Sequence, residues 1–94
     1  AEIAGLRFLI WPNPSRKGTM VSFSLPNEAR VRLAVFDITG RLIRTLVQGE
    51  QAAGGYTVTW NGRDDAGRLV PTGTYLYKLE TDAGIRVTKS VLVR

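Results

Sequence analysis

The only acidic cluster in this sequence lies in Asn61-Gly62-Arg63-Asp64-Asp65-Ala66-Gly67, where carboxylates and an amide oxygen sit on a glycine-containing loop. Oxygen ligands on such a loop are what a hard cation such as calcium takes, and Asn61, Asp64 and Asp65 would be its ligands. Two features oppose that chemistry. The spacing departs from that of the twelve-residue calcium loop, and Arg63 and Arg68 flank the cluster with charge of the metal's own sign. The same residue types also make turns, because Asp and Asn accept hydrogen bonds from nearby backbone amides while Gly62 and Gly67 relieve backbone strain. Turn-making is the expectation, with calcium at Asn61, Asp64 and Asp65 as its alternative; no other cofactor is expected.

Other catalytic arrangements fail on residue type. Glycoside hydrolysis needs two carboxyl groups facing each other across a cleft, whereas Asp64 and Asp65 are neighbours on one polar loop. Ser22, Ser24 and Ser90 fall at strand positions expected to face solvent, and the chain contains no His to activate them. With no Cys either, disulfides, thiolate catalysis and the usual zinc ligands drop out as well. A non-enzymatic module is expected.

The residues left to make contacts are basic and aromatic. Thirteen Lys and Arg against eight Asp and Glu give a net charge of +5. Such a balance keeps a small domain soluble, and it also favours an anionic partner. Arg30, Arg32, Lys78 and Arg86 fall at outward positions and could form a basic face. A nucleic-acid platform would require exposed rings for base stacking, yet Tyr56, Trp60, Tyr75 and Tyr77 share a parity with Val58 and Leu79, which places them in a core. Phe8, Trp11 and Phe36 are left as either a sugar-stacking platform or packing between sheets.

The elements that must carry these residues are strands. Alternation with period two, broken about every ten residues by Gly, Pro, Asn and Asp, predicts an all-β chain. The strands are Leu6 to Trp11, Thr19 to Leu25, Arg30 to Asp37, Arg41 to Gln48, Tyr56 to Trp60, a strand with Tyr75, Tyr77 and Leu79 inward, and Ile85 to Arg94. Pro12 and Pro14 stop the first. In the third, Val31, Leu33 and Val35 point inward, and a one-residue slip would bury two arginines. The fourth carries Arg44 mid-strand, which suits a sheet edge; Leu42 with Leu46 competes with Ile43 with Val47 for its inner face. Asp82-Ala83-Gly84 reads as a three-residue hairpin loop. In the last strand Ile85 and Val87 as inward residues would drag Lys89 inward too, so a bulge near Lys89 is expected. Seven strands without a helix fit an immunoglobulin-like antiparallel β-sandwich of about seven strands.

Several motifs, in order, carry a resemblance. Trp11-Pro12-Asn13-Pro14-Ser15, Val21-Ser22-Phe23-Ser24-Leu25-Pro26 and Val31 to Arg41 with Asp37 and Gly40 are followed by Gly54-Gly55-Tyr56, Val58-Thr59-Trp60-Asn61-Gly62, Val70-Pro71-Thr72-Gly73-Thr74-Tyr75 and Lys89-Ser90-Val91-Leu92-Val93-Arg94. Together they resemble the type A C-terminal sorting domains of the type IX secretion system. The immunoglobulin-like domain of flagellar hook-capping proteins shares the pattern. Pro12, Asn13, Pro14, Gly40, Trp60, Gly62, Pro71, Gly73 and Tyr75 are the motif residues expected to serve the fold. Lys89, Ser90, Val91, Leu92, Val93 and Arg94 are those expected to be read by secretion machinery.

The resemblance implies one domain over residues 1–94, with 1–10 as linker or first strand, forming the C-terminal piece of a larger secreted protein. The chain's stop after Arg94 is what favours the sorting family over its relative. The implied partners are the type IX outer-membrane translocon and a sortase-like peptidase, with anionic lipopolysaccharide as a further one. The implied location is outside the cell or on its surface, reached through the periplasm of a Gram-negative bacterium. The alternative is an accessory module, either carbohydrate-binding in a secreted hydrolase or assembly-forming as in the hook cap.

Overall fold

The computed structural model describes residues 6–94. The chain forms seven strands: β1 (Arg7–Trp11), β2 (Thr19–Leu25), β3 (Ala29–Asp37), β4 (Leu42–Gln51), β5 (Gly54–Trp60), β6 (Gly73–Thr81) and β7 (Gly84–Leu92). Of the stretch 1–10 expected as linker or first strand, residues 1–5 lie outside the described residues and Arg7–Ile10 are strand. Among the described residues there is no helix, and hence none long and apolar enough to cross a membrane.

The strands form two antiparallel sheets, β1-β2-β5 and β4-β3-β6-β7. Their inner faces meet over one core of Val21, Phe23 and Trp60 from the first sheet and Val31, Leu33, Val35, Tyr77 and Leu79 from the second. The immunoglobulin-like sandwich expected from the strand pattern is the fold observed. Trp60 is fully buried, lies edge-on to Tyr75 and Tyr77 at centroid separations of 5.2 and 5.9 Å, and donates its indole N–H to the Arg63 carbonyl at 2.8 Å. Tyr75 and Tyr56 each donate a hydroxyl proton to the carbonyl four residues upstream, Pro71 and Ala52, pinning the entries to β6 and β5. The tyrosine corner of immunoglobulin-like sandwiches uses the same bond.

One polar chain crosses this core. The Tyr77 hydroxyl donates to Thr19 Oγ1 at 2.9 Å, and Thr19 Oγ1 lies 3.0 Å from Ser15 Oγ, with all three residues almost fully buried. Because buried hydroxyls lose water, such a chain must be complete to be tolerated. It ties β6 to β2 and to the connection that follows β1.

Two strands depart from the expected pattern. β4 does lie at a sheet edge, but neither alternative for its inner face is followed in a single register. Pairing with β3 passes over Leu46 and again over Ile43, and these two bulges shift the strand's parity. Ile43 is thereby buried while Leu46 and Val47 pack against the core, and Leu42 is left exposed.

The second departure is in β7. The bulge expected near Lys89 is absent: β7 pairs with β6 without a break from Thr81↔Gly84 to Gly73↔Leu92. Leu92 fills the core at 1% exposure, and unbroken parity then carries Ser90 inward and turns Ile85, Val87, Lys89 and Val91 outward. Ser90, expected to face solvent, is buried. Arg86, expected on an outward basic face, takes an inward position and is half-buried. The hairpin before β7 has two loop residues rather than three, because Thr81 and Gly84 are themselves paired.

Candidate functional site

The side-chain oxygens Asn61 Oδ1, Asp64 Oδ1 and Asp65 Oδ1 of the Asn61–Gly67 loop accept backbone amides. Asn61 Oδ1 accepts the Arg63 amide at 3.1 Å, Asp64 Oδ1 accepts the Ala66 and Arg68 amides at 2.9 Å each, and Asp65 Oδ1 accepts the Thr45 amide at 3.3 Å. Among the described residues no three acidic side chains converge as a metal would require. The backbone N–H of Arg68 is the main cause that holds the Asp64 carboxyl below the usual carboxylate range.

The loop repeats a device found earlier in the chain. Asp37-Ile38-Thr39-Gly40-Arg41 and Asp64-Asp65-Ala66-Gly67-Arg68 share Asp, Gly and Arg at the same spacing. In each, the Asp carboxylate accepts the amides two and four residues on, and the Gly amide returns to the Asp carbonyl. The Arg guanidinium then lies 3.5 or 3.6 Å from the carboxylate. Gly40 and Gly67 hold φ of 89° and 84°, a left-handed conformation that a side chain would strain. At Asp37 the Thr39 hydroxyl adds a donor at 2.6 Å and is the main cause lowering that carboxyl's pKa. The repeat was readable in the sequence as D-x-x-G-R twice, yet only the structure brings both turns to one groove of about 600 Å³ floored by Leu42, Leu69, Val70, Pro71 and Tyr75.

The motif residues expected to serve the fold are distributed around the same end of the sandwich. Gly62 packs against Arg94, whose guanidinium donates to the Gly62 and Val70 carbonyls while its amide donates to Thr72 Oγ1. A β-carbon at Gly62 would meet the Arg94 guanidinium at 2.6 Å. Gly73, by contrast, has room for one: the nearest contact would be the Tyr75 ring at 3.9 Å. Pro12 and Pro14 bracket Asn13, whose Oδ1 accepts the Val91 amide at 3.1 Å. Ser15 then exchanges backbone hydrogen bonds with Val91 and Val93, bridging in parallel to Leu92.

The segment Lys89-Ser90-Val91-Leu92-Val93-Arg94 is therefore divided. Ser90, Leu92 and Arg94 belong to the fold, while Lys89 and Val91 present exposed side chains, continued along β7 by Val87 and Ile85. The aromatic trio is likewise separated. Phe8 is buried, Trp11 is 44% exposed on the opposite face of β1, and Phe36 is half-buried on the other sheet with the Lys78 ammonium 5.9 Å from its ring centre. No flat platform of three rings exists.

Charge is partitioned with the fold. Residues 28–83 contain seven basic and seven acidic side chains, and Asp37, Glu50, Asp64 and Glu80 form ion pairs with basic residues of that same stretch. Residues 6–27 and 84–94 contain Arg7, Arg16, Lys17, Arg86, Lys89 and Arg94 and not one acidic residue. Because Ser15 bridges to Leu92, Arg16 and Lys17 follow directly on the β7 side of the sandwich. The excess positive charge is thus a property of β1, the connection between β1 and β2, β7 and Arg94.

The sequence matches the family of FlgD Ig-like domains over residues 13–84. Two curated relatives, the basal-body rod modification proteins FlgD of Salmonella typhimurium and Salmonella typhi, are each 44% identical over 46 residues, 49% of this chain and 20% of theirs. The chain spans about one fifth of their length. Among solved structures, dimeric latent PorU from Porphyromonas gingivalis contains a similar fold with a TM-score of 0.74 at 20% identity, covering 94% of this chain and 9% of that one. PorZ, a bacterial surface component of the type IX secretion system of the same organism, gives 0.63 at 22% identity over 93% of this chain and 11% of its own. FlgD from P. aeruginosa gives 0.62 at 24% identity over 92% and 74% respectively. With most of its length matched to that family, the chain belongs to the FlgD Ig-like domains.

Proposed function

We propose that the chain is a non-catalytic sorting domain that forms the C-terminal part of a larger secreted protein and directs it through a type IX outer-membrane translocon to the cell surface. The observation that carries this reading is the similarity of fold to part of PorZ, named as a surface component of the type IX secretion system, which takes in 93% of the chain at a TM-score of 0.63. The fold is similar also to part of PorU from the same organism, over 94% of the chain at a TM-score of 0.74. A sorting domain needs a folded surface rather than a reactive centre, which suits acidic residues occupied in turns and ion pairs. A sortase-like peptidase and anionic lipopolysaccharide are the further partners this reading carries.

The test is a reporter fused ahead of residues 1–94 in a bacterium with type IX machinery. Export of the fusion, with retention of an Ile85→Lys/Val87→Lys version that still folds, is the expected result; periplasmic retention of the unmodified fusion contradicts it. Point variants serve better than removal of residues 89–94, since Leu92 and Arg94 hold the fold.

A second reading has its own support. The 44% identity to Salmonella FlgD favours an assembly module of hook-cap type. Exchanging the corresponding domain of Salmonella FlgD for this one should restore motility on that reading and leave the cells non-motile on the first.

A further inference from the structure

The outer edge of β7 is a partly closed sheet edge. Val91 C=O and Val93 N–H point away from β6, because they bond to Ser15. In an antiparallel ladder, residues alternate between those bonded to the neighbour and those whose N–H and C=O face the other way. With β6–β7 pairing unbroken, Ile85, Val87 and Lys89 share the outward set with Val91. Asn13 and Ser15 cap the groups of Val91 and Val93, and no backbone partner reaches those of Ile85, Val87 and Lys89 among the described residues.

Lys89 and the inward Arg86 are the charges on this open stretch, and it has neither proline nor bulge. Beside those charges, Ile85 and Val87 stand 56% and 57% exposed on a strand paired without a break. On the inner face, Arg86 carries a guanidinium nitrogen, Nη1, that is buried and has no hydrogen-bond partner among the described residues. A buried cationic donor without a partner is costly, and a carboxylate is the group that relieves it. Residues 6–27 and 84–94, which supply β1, β2 and β7, contain no acidic side chain.

We propose that the β7 edge binds an extended acidic peptide by strand addition. The added strand takes the outward N–H and C=O groups of Ile85, Val87 and Lys89. Residues opposite Ile85 and Val87 lie on the outer face and are apolar; the residue opposite Arg86 lies on the inner face and is Asp or Glu, within cross-strand reach of the guanidinium. The favoured ligand alternates apolar and acidic side chains. A second copy of this chain fits less well, because two domains of +5 repel and the partner strand would itself be acid-free. The inference does not depend on the export reading: it concerns the purified domain, so failure to bind and failure to be exported are separate results.

The test titrates the isotope-labelled chain with a short peptide of alternating valine and glutamate, followed by amide NMR. Saturable shifts centred on Ile85 to Lys89, weakening with added salt and absent with a valine–lysine peptide, are expected. Val87→Pro removes an outward N–H that no ladder bond uses, so the fold survives while binding falls by about tenfold or more, the consequence of losing one or more backbone hydrogen bonds. Should Val87→Pro perturb the fold, Arg86→Gln provides the second variant and should weaken the glutamate peptide but not a valine–glutamine one. Equal binding of both charge types overturns the proposal. So do peptide shifts confined to β1 or to the two Asp turns, concentration-dependent β7 shifts without peptide, and binding only of a sulfated polysaccharide that Val87→Pro leaves unchanged.

Discussion

The outer surface of β3, β4 and β6 and the β1–β7 side of the sandwich use basic residues to opposite ends. On the former, Arg30 meets Glu50, and Arg32 and Lys78 share Glu80, at separations between 3.5 and 3.8 Å. Exposed pairs of this kind each stabilise by about 0–1 kcal/mol, and they also set each basic side chain beside an acidic one. On the latter, six basic side chains stand without an acid in the same segments, beside a strand whose backbone is only partly capped. One surface is electrostatically closed and the other is open. A net charge of +5, read for the whole chain, conceals that division.

The largest effect should come from a lesion common to both regions. Trp60 belongs to the core beneath each sheet, and Trp60→Ala should lower stability by about 3–5 kcal/mol, measured as a shifted urea midpoint, a large part of what a small domain possesses. Loss of the β7 edge signals in the same variant would follow from unfolding rather than from the edge itself.

Next come the two Asp turns, which belong to the balanced region. Asp64→Ala removes the acceptor for two backbone amides and should lower Tm by several degrees, whereas Lys89→Ala on the open side should leave Tm nearly unchanged. The turns also predict a pH dependence. Since Asp37 and Asp64 are held below their ordinary value in the folded chain, the stability they supply is complete above about pH 4 and is lost as pH falls through their lower folded values. Thermal melts between pH 5 and 2 should show that loss reduced in Asp64→Asn, with the pH limits following from ordinary carboxylate values of about 4.

A smaller effect is expected at Tyr77, which joins the sheets through Thr19. Burial pushes its hydroxyl up to about 12. The unfolded chain releases this proton near its ordinary value of about 10 while the folded chain retains it, so stability is full below that pH and falls between the two values. Tyr77→Phe should cost about 1 kcal/mol at neutral pH through the lost hydrogen bond, and should flatten the alkaline decline.

The sequence made the interior more legible than the edges. In β2, β3, β5 and β6, alternating residues face a core on one side and solvent on the other, so parity alone assigns Val31, Leu33, Tyr75 and Tyr77 correctly. β7 defeats that reasoning because Ile85 and Val87 look like core residues yet lie outside: the anchors are Leu92 and Ser90, and unbroken pairing dictates the rest. β4 defeats it through two bulges that no turn residue announces. The loop chemistry of Asn61, Asp64 and Asp65 was legible as turn-making from residue type, but the juxtaposition of its repeat at Asp37 depends on long-range packing. The acid-free segments are visible in the sequence as well; they acquire meaning only when Ser15 is found beside Leu92.

The claim that location rather than net charge makes the β7 side a binding surface can be tested with two variants of equal charge. Lys17→Gln/Lys89→Gln removes two charges from the open side, and Arg30→Gln/Lys78→Gln removes two from the balanced sheet. The measurement is the salt concentration that elutes each folded protein from a column of immobilised valine–glutamate peptide. A clear drop for the first variant, with the second close to the unmodified chain, is the predicted result; equal drops for both would contradict it.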